Sequence, residues 1–237
     1  MEVHHHPHVE KKSFKEYILE GLMIFVAVSM GFIAESLREN MVEHEIVKRN
    51  MALIVENLKE DTARLNESIN LHTKKLAETD SILLFRNANF IDTNTANRFF
   101  PLFVTIMTTG WFSSNNSGFE QMKSSGTIRL IKQKAVLDSL YKYESLNNTI
   151  KYNGIIEDDL IKKIEGIAGS FLVYGDDKNS KVISTAITPA LLNRMFNNYV
   201  YLNKNLSLFY IPELHEQKQK AIHLIQFLQQ AYQLENE

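Results

Sequence analysis

Residues 16–35 read EYILEGLMIFVAVSMGFIAE, and this stretch decides the architecture that we expect for the chain. Its core from Gly21 to Ala34 carries no charge and is apolar on every helical face, unlike a helix on a soluble surface. A helix over this core rises roughly 21 Å, whereas the hydrocarbon layer is about 30 Å thick. Because Phe14, Tyr17 and Phe32 extend its apolar reach, we predict a transmembrane helix over residues 16–35 rather than a buried core helix.

The residues that flank the apolar run predict how it is used. No small-residue cleavage pattern follows it, so we expect an uncleaved anchor rather than a signal peptide. Lys11, Lys12 and Lys15 crowd the N-terminal flank, whereas Arg38 alone lies close on the other side. Because positive charge favours the cytoplasmic side, we predict a single-pass inner-membrane protein with a cytoplasmic N-terminus and a periplasmic C-terminal domain.

One face of the predicted span combines a carboxylate with small residues. Small residues four apart let helix backbones approach closely in lipid, and a carboxylate at membrane depth usually faces protein or water. We therefore expect this stripe to meet another helix. The alternatives are that Glu20 lies at the headgroup level, or that rings of Glu20 line the pore of a homo-oligomeric channel. The predicted membrane-helix contact residues are Glu20, Ile24, Ala27, Gly31 and Ala34.

Residues 1–15 form a histidine-rich basic leader that opens MEVHHHPHVEKK. Histidine clusters bind Zn, Ni or Cu, but an extended peptide does not fix a coordination geometry, so we predict no metal site. A titratable arm that contacts anionic lipid or a partner is the preferred interpretation. The leader residues in question are His4, His5, His6 and His8.

The remainder, residues 36–237, predicts a helical domain. The chain holds only 9 glycines and 4 prolines, and apolar residues recur at spacings of three and four. Glu35 to Arg86 predicts one long helix continuous with the span. The other predicted helices are Thr95–Thr108, a short one capped by Ser117 and ended by Gly126, Lys132–Phe171, and one from Thr188–Pro189 to near Leu234 with a kink at Pro212.

These segments predict an all-α fold: an antiparallel bundle of about four helices behind a transmembrane helix. Aromatic residues at helical spacing usually fill such a core, so we expect those of the last helix to be buried. They are Phe196, Tyr199, Tyr201, Phe209, Tyr210, Phe227 and Tyr232.

Composition and motifs argue against several functions. The net charge of −2 lacks the basic excess of a nucleic-acid binder, and the absence of cysteine excludes thiolate chemistry and disulfides. His215-Glu216 begins a zinc-protease pattern, but Gln219 stands where the second histidine belongs. We find no catalytic constellation, and we expect neither enzymatic activity nor a cofactor.

Two stretches resemble known proteins. The opening MEVHHHPHVEKKSFKEYILEGLMIFVAVSMGFIAESLREN resembles a family of single-span membrane proteins of Bacteroidota with histidine-rich leaders, to which no activity is assigned. The stretch from Gly118 to Ile131 is similar to a segment of other single-span envelope proteins of these bacteria. The resemblance implies a bacterial envelope location and no mechanism.

Together these features predict a membrane-anchored structural or accessory subunit of an envelope complex. Its expected partners are the bilayer and other membrane proteins or copies of itself, and no nucleic acid. A ligand sensor or solute-binding module built on the bundle is the alternative from a different class, and a polar cavity between the third and fourth long helices would favour it.

Overall fold

The computed structural model describes residues 13–88, 92–169, 172–174, 182–184 and 189–234. It confirms the all-α fold with a long N-terminal helix and further helices that form a bundle. Its α-helices are α1 (Phe14–Leu83), α2 (Thr93–Met107), α3 (Ser117–Ser125), α4 (Lys134–Ala168), α5 (Pro189–Arg194) and α6 (Tyr201–Tyr232). Leu84–Asn87 and Thr127–Leu130 are 3₁₀ turns, and Met195–Val200 is a π-helical segment that joins α5 to α6.

The chain divides into two units, Met1–Lys48 and Arg49–Glu237. In the first unit, α1 exposes the apolar side chains of residues 16–35, and none of its most apolar 18-residue window is buried. That window has a mean hydropathy of 2.0, so α1 is long and apolar enough to cross a membrane. No Gly or Pro lies between Glu35 and Arg86, which accounts for the uninterrupted helix.

In the second unit, side-chain pairs fix the directions of the long helices. Tyr143 of α4 bonds Asp61 of α1, and Glu157 bonds Lys75, so α1 and α4 run parallel with the same 82-residue offset at both pairs. α6 runs antiparallel to α4, because its Gln217 meets Asn147 while its Glu213 meets Asn153. The predicted antiparallel arrangement therefore holds for α4 and α6, whereas α1 and α4, which are not consecutive arms of the bundle, are parallel.

The second arm of the bundle is not one helix. α2 ends at Met107, and residues 108–116 run without helix or strand before α3 begins at Ser117. This segment runs antiparallel to α1. Its first residue, Thr108, accepts a hydrogen bond from Lys75, and its later residue Asn115 donates one to Asp61, which lies earlier in α1. The bundle therefore consists of α1, a broken arm of α2 and α3, α4, and the α5–α6 arm.

Among the described residues of the second unit, two apolar clusters lie at different levels of the bundle. The larger joins Ile82 to α2, α4 and the π-helical segment, and the smaller lies nearer the start of the unit. The larger cluster contains Ile82, Ala96, Phe99, Phe103, Ile106, Ile164, Ala168, Met195, Phe196 and Val200. The smaller one contains Leu65, Ile69, Phe112, Ile150, Tyr210 and Leu214.

Several local predictions differ from the structure. Phe196, Tyr210 and Tyr232 are buried as expected, but Tyr201 is 50% and Phe209 71% exposed, so the core prediction is wrong for these two. Tyr201 lies on the side of α6 opposite its buried residues, whereas Phe209 lies beside them, about 100° round the helix from the buried Tyr210. Tyr199 and Phe227 are half-buried.

The caps and the segment after α4 also differ. Asn116, not Ser117, precedes α3, and it makes no side-chain cap bond. Gly126 ends α3 as predicted, in the left-handed conformation (φ 73°) that glycine adopts without strain. After α4 the chain forms a short antiparallel hairpin of β1 (Leu172–Tyr174) and β2 (Val182–Ser184), paired Val173 with Ile183. Thr188, the predicted cap of the last helix, lies outside the described residues.

Two glycines of α4 give a matched test of packing. A Cβ at Gly154 would lie 2.7 Å from Cβ of Trp111, whereas one at Gly166 meets nothing within 4 Å. We expect Gly154→Ala to lower the melting temperature, because overpacking costs about 1–3 kcal/mol. Gly166→Ala should raise it, since alanine favours an exposed helix by about 1 kcal/mol. Circular dichroism at 222 nm of both variants measures this, and stabilisation by Gly154→Ala would contradict the packing of Trp111.

Candidate functional site

The predicted membrane-contact residues lie on one face of α1 in the first unit. Glu20, Ile24, Ala27, Gly31 and Ala34 follow each other by four and three residues, and all five are exposed. A Cβ added at Gly31 would meet nothing within 4 Å. The stripe is thus a continuous surface, and its role as a helix contact stays a prediction. His4, His5, His6 and His8 lie outside the described residues.

A different set of α1 residues forms a buried polar stripe that sequence reasoning missed. Its members are spaced by four, seven, four, three and four residues, and so they share one helical face. Every one of them is at most 9% exposed, in a position where apolar residues are the rule. The buried polar stripe consists of Asn57, Asp61, Ser68, His72, Lys75 and Thr79.

The stripe binds the backbone of the non-helical segment 108–116. The Lys75 ammonium donates to the carbonyl oxygen of Thr108 at 3.0 Å, and the Ser68 hydroxyl donates to that of Gly110 at 2.8 Å. The backbone N–H of Gly118, just beyond the segment, donates to Asn57 Oδ1 at 3.0 Å. Backbone groups without helix or strand partners need such acceptors and donors when they leave water.

Asp61 is the acceptor at the centre of this contact. Its carboxylate accepts from the Ser114 hydroxyl at 2.5 Å, from the Asn115 backbone N–H at 2.7 Å and from the Tyr143 hydroxyl at 2.7 Å. Burial raises the pKa of Asp61, and the three hydrogen bonds act in the opposite direction. Burial also raises the pKa of Tyr143, with the Asp61 charge beside it, so this hydroxyl remains a donor.

Lys75 and Glu157 form an ion pair inside the second unit, with both side chains 2% exposed. Burial raises the pKa of the Glu157 carboxyl, and the Lys75 ammonium opposes that shift. Taking two charges out of water costs several kcal/mol per ion, so such a pair adds little net stability but is very costly to break. Its clearest physical effect is to fix the register of α1 against α4.

His72 lies beside this pair. Its Nδ1 is 3.6 Å from Glu157 Oε1, and its ring meets Tyr210 edge-on at 4.7 Å between centroids. Burial lowers the pKa of His72 to about 4, helped by the Lys75 charge and opposed by a polar contact with the backbone of Gly110. Within the described residues neither ring nitrogen makes a hydrogen bond of good geometry. The imidazole is therefore neutral at pH 7.

The arrangement has the residue types of a catalytic centre but not its access. His72, Lys75 and Glu157 are each at most 2% exposed, so no substrate reaches them in this conformation. Among the described residues no group of three or more His, Cys, Asp or Glu side chains is placed to hold a metal ion. Motif searching could not detect Lys75 and Glu157. They lie 82 residues apart in the chain, and each has the local sequence pattern of a surface charge.

A groove of about 300 Å³ lies between α4 and α6. Lys142, Lys220 and His223 give it basic groups, while Tyr143, Leu224 and Phe227 supply apolar surface. Ser139 also lines it. It is an open groove and differs from the buried polar cavity that would favour a sensor.

Four exposed apolar side chains lie within nine consecutive residues of α6 and form what we call its outer face. They are Tyr201, Leu202, Leu208 and Phe209. Single exposed apolar residues are ordinary, and these four differ only in lying close together on one helix.

Comparison of this chain with protein-family models, with curated proteins and with solved structures finds no match. The functional argument therefore depends on the residues and geometry described above.

The depressed pKa of His72 predicts a pH dependence of folding. Between about pH 6.5 and pH 4 the unfolded chain binds a proton at this residue and the folded chain does not, so acidification favours unfolding. From the folded pKa of about 4, the free energy of unfolding should fall by about 3 kcal/mol from pH 7 to pH 4 through His72 alone. His72→Phe, which keeps a ring beside Tyr210, should remove this component.

Denaturant unfolding of the full chain at several pH values, followed by fluorescence of the single tryptophan, measures the effect. The variants are His72→Phe and, as control, His223→Gln at an exposed site. Asp61 and Glu157 titrate in every variant, so the difference between the pH profiles is assigned to His72 together with its contact to Glu157. Parallel profiles for the wild type and His72→Phe would contradict the prediction.

Proposed function

We propose that this protein is a membrane-anchored accessory subunit of a bacterial envelope complex, with a cytoplasmic N-terminus and a periplasmic helical domain. One observation carries the proposal: α1 is long and apolar enough to cross a membrane, and none of its most apolar 18-residue window is buried. An apolar surface of that extent is unstable in water, so it requires lipid or protein around it.

The second unit supports a binding role rather than a chemical one. Its charged cluster of His72, Lys75 and Glu157 is closed to substrates and engaged in holding helices together. Its outer face of α6 presents apolar side chains to the surroundings, with Phe209 71% exposed. A subunit that holds a partner beside the membrane needs an anchor and an apolar contact face, and the apolar start of α1 and the outer face of α6 support this proposal.

Anchoring makes a direct prediction. Val28 lies at the middle of the uncharged run, and a lysine there costs about 2.5–3.5 kcal/mol for membrane insertion. We expect Val28→Lys to shift the protein toward the carbonate-extractable fraction, while the same exchange at Met41, another exposed apolar residue of α1, leaves it membrane-integrated. Full integration of Val28→Lys would argue against a span. Extraction of both variants would argue against a span limited to residues 16–35.

The partner role is tested by purification from native membranes in a gentle detergent, with mass spectrometry and mass photometry. We expect a stoichiometric partner with the wild type, and its loss with Gly31→Leu or Phe209→Gln. Gly21→Leu is the matched control, because Gly21 lies off the stripe and its added Cβ also meets nothing within 4 Å. Leu84→Gln serves the same purpose for Phe209, since Leu84 is exposed in the same unit but not on α6.

Each outcome decides between the hypotheses. If both test variants lose the partner and both control variants keep it, the result supports an accessory subunit that binds through its span and its helical domain. A pure homo-oligomer would overturn the proposal. An unrelated partner retained by all four variants would leave the anchor but remove both contact surfaces.

A further inference from the structure

The groove between α4 and α6 has a composition that the proposed function does not require. Within the part of the chain that the structure describes, its lining holds Lys142, Lys220 and His223 and no carboxylate. The chain as a whole is slightly acidic, with a net charge of −2, so a set of basic groups around one apolar groove is a local feature. Its volume of about 300 Å³ lies at the lower end of the range for small-molecule sites.

The floor of the groove is held in place by the bundle. Tyr143 is 7% exposed, and its hydroxyl is fixed to Asp61 while its carbonyl oxygen accepts from Gln217 of α6. Leu224 is 4% exposed on the facing helix. These side chains are already immobilised in the free protein. Binding of a ligand against them therefore costs little further side-chain entropy.

The basic groups at the rim remain adjustable. Lys142 and His223 are exposed, and Lys220 is half-buried with an ion pair to Glu216 at 2.7 Å. An exposed pair four residues apart on a helix contributes only about 0.3–0.5 kcal/mol. Lys220 can therefore turn to an anion in the groove at small cost, while its aliphatic stem covers apolar surface.

We propose that this groove binds a small organic carboxylate with a flat apolar body. The apolar body would pack on Tyr143, Leu224 and Phe227, and the carboxylate would meet Lys142 and Lys220 at the rim. The charge of the lining selects against cations, and its apolar floor selects against small hydrated anions such as inorganic phosphate. This inference is independent of the accessory role, since it concerns the purified chain alone.

The experiment is isothermal titration calorimetry of the full chain in lipid nanodiscs, with 2-naphthoate as the probe and 2-naphthalenemethanol as its uncharged counterpart. Empty nanodiscs provide the baseline for partition into lipid. We expect saturable 1:1 binding of 2-naphthoate that weakens with added salt, because the contact between rim and carboxylate is exposed. The alcohol should bind at least tenfold more weakly.

Variants assign the binding to the groove. The double variant Lys142→Met/Lys220→Met should bind 2-naphthoate at least tenfold more weakly and should bind the alcohol with unchanged affinity. Lys151→Met, an exposed lysine of the same helix α4 outside the groove, should have no effect. Phe227→Leu should lower the affinity for 2-naphthoate and for the alcohol equally, because it removes the contact with the aromatic ring without removing a charge.

Three results would overturn the inference: no saturable binding of 2-naphthoate above empty nanodiscs, equal affinity for the alcohol, or equal loss with Lys151→Met. Unchanged melting temperatures in every variant show that a loss of binding does not come from unfolding. A partner in native membranes neither supports nor weakens this site, so its failure and that of the proposed function are distinguishable.

Discussion

The second unit depends on how the buried polar stripe of α1 finds hydrogen-bond partners in a non-helical segment that lies against it. Residues 108–116 break the second arm, and their backbone groups lack the partners that a helix provides. The buried polar stripe of α1 supplies those partners: Lys75 and Ser68 donate to backbone carbonyl oxygens, and Asp61 accepts a backbone N–H. Because a buried unpaired polar group costs about 1–3 kcal/mol, the stripe and the segment require each other.

The C-terminal part of the same stripe lies between the two apolar clusters. Along α1, His72 and Lys75 lie between Ile69 of the smaller cluster and Ile82 of the larger one, and along α4 Glu157 lies between Ile150 and Ile164. Apolar contacts tolerate sliding of one helix past another, but a charge pair does not, since a slip of one turn would leave both charges buried and unpaired. The polar layer thus selects one register from the several that the apolar layers would accept.

The contrast between buried polar contacts and exposed surface groups is relevant to function. A bundle whose interior is fixed by polar contacts keeps its outer surfaces in a constant relation, and a contact face on α6 or a groove between α4 and α6 needs that constancy. The charged groups inside hold the scaffold, whereas the groups with freedom to bind, such as Lys142 and Phe209, lie at the surface. Among the described residues, His72, Lys75 and Glu157 are enclosed by the bundle, whereas Lys142 and Phe209 are open to contact from outside.

The sequence by itself determined the elements with strong local signals. The uncharged run Gly21–Ala34, the long stretch without Gly or Pro, and Gly126 as a helix end predicted the exposed apolar helix, its continuation and the end of α3, because composition and backbone preference act locally. Only the tertiary structure decided that Lys75 and Glu157 meet, that Phe209 faces outward and that Lys142 and Lys220 share a groove. Those facts depend on contacts between residues far apart in the chain, and a buried lysine has the same local sequence signal as a solvated one.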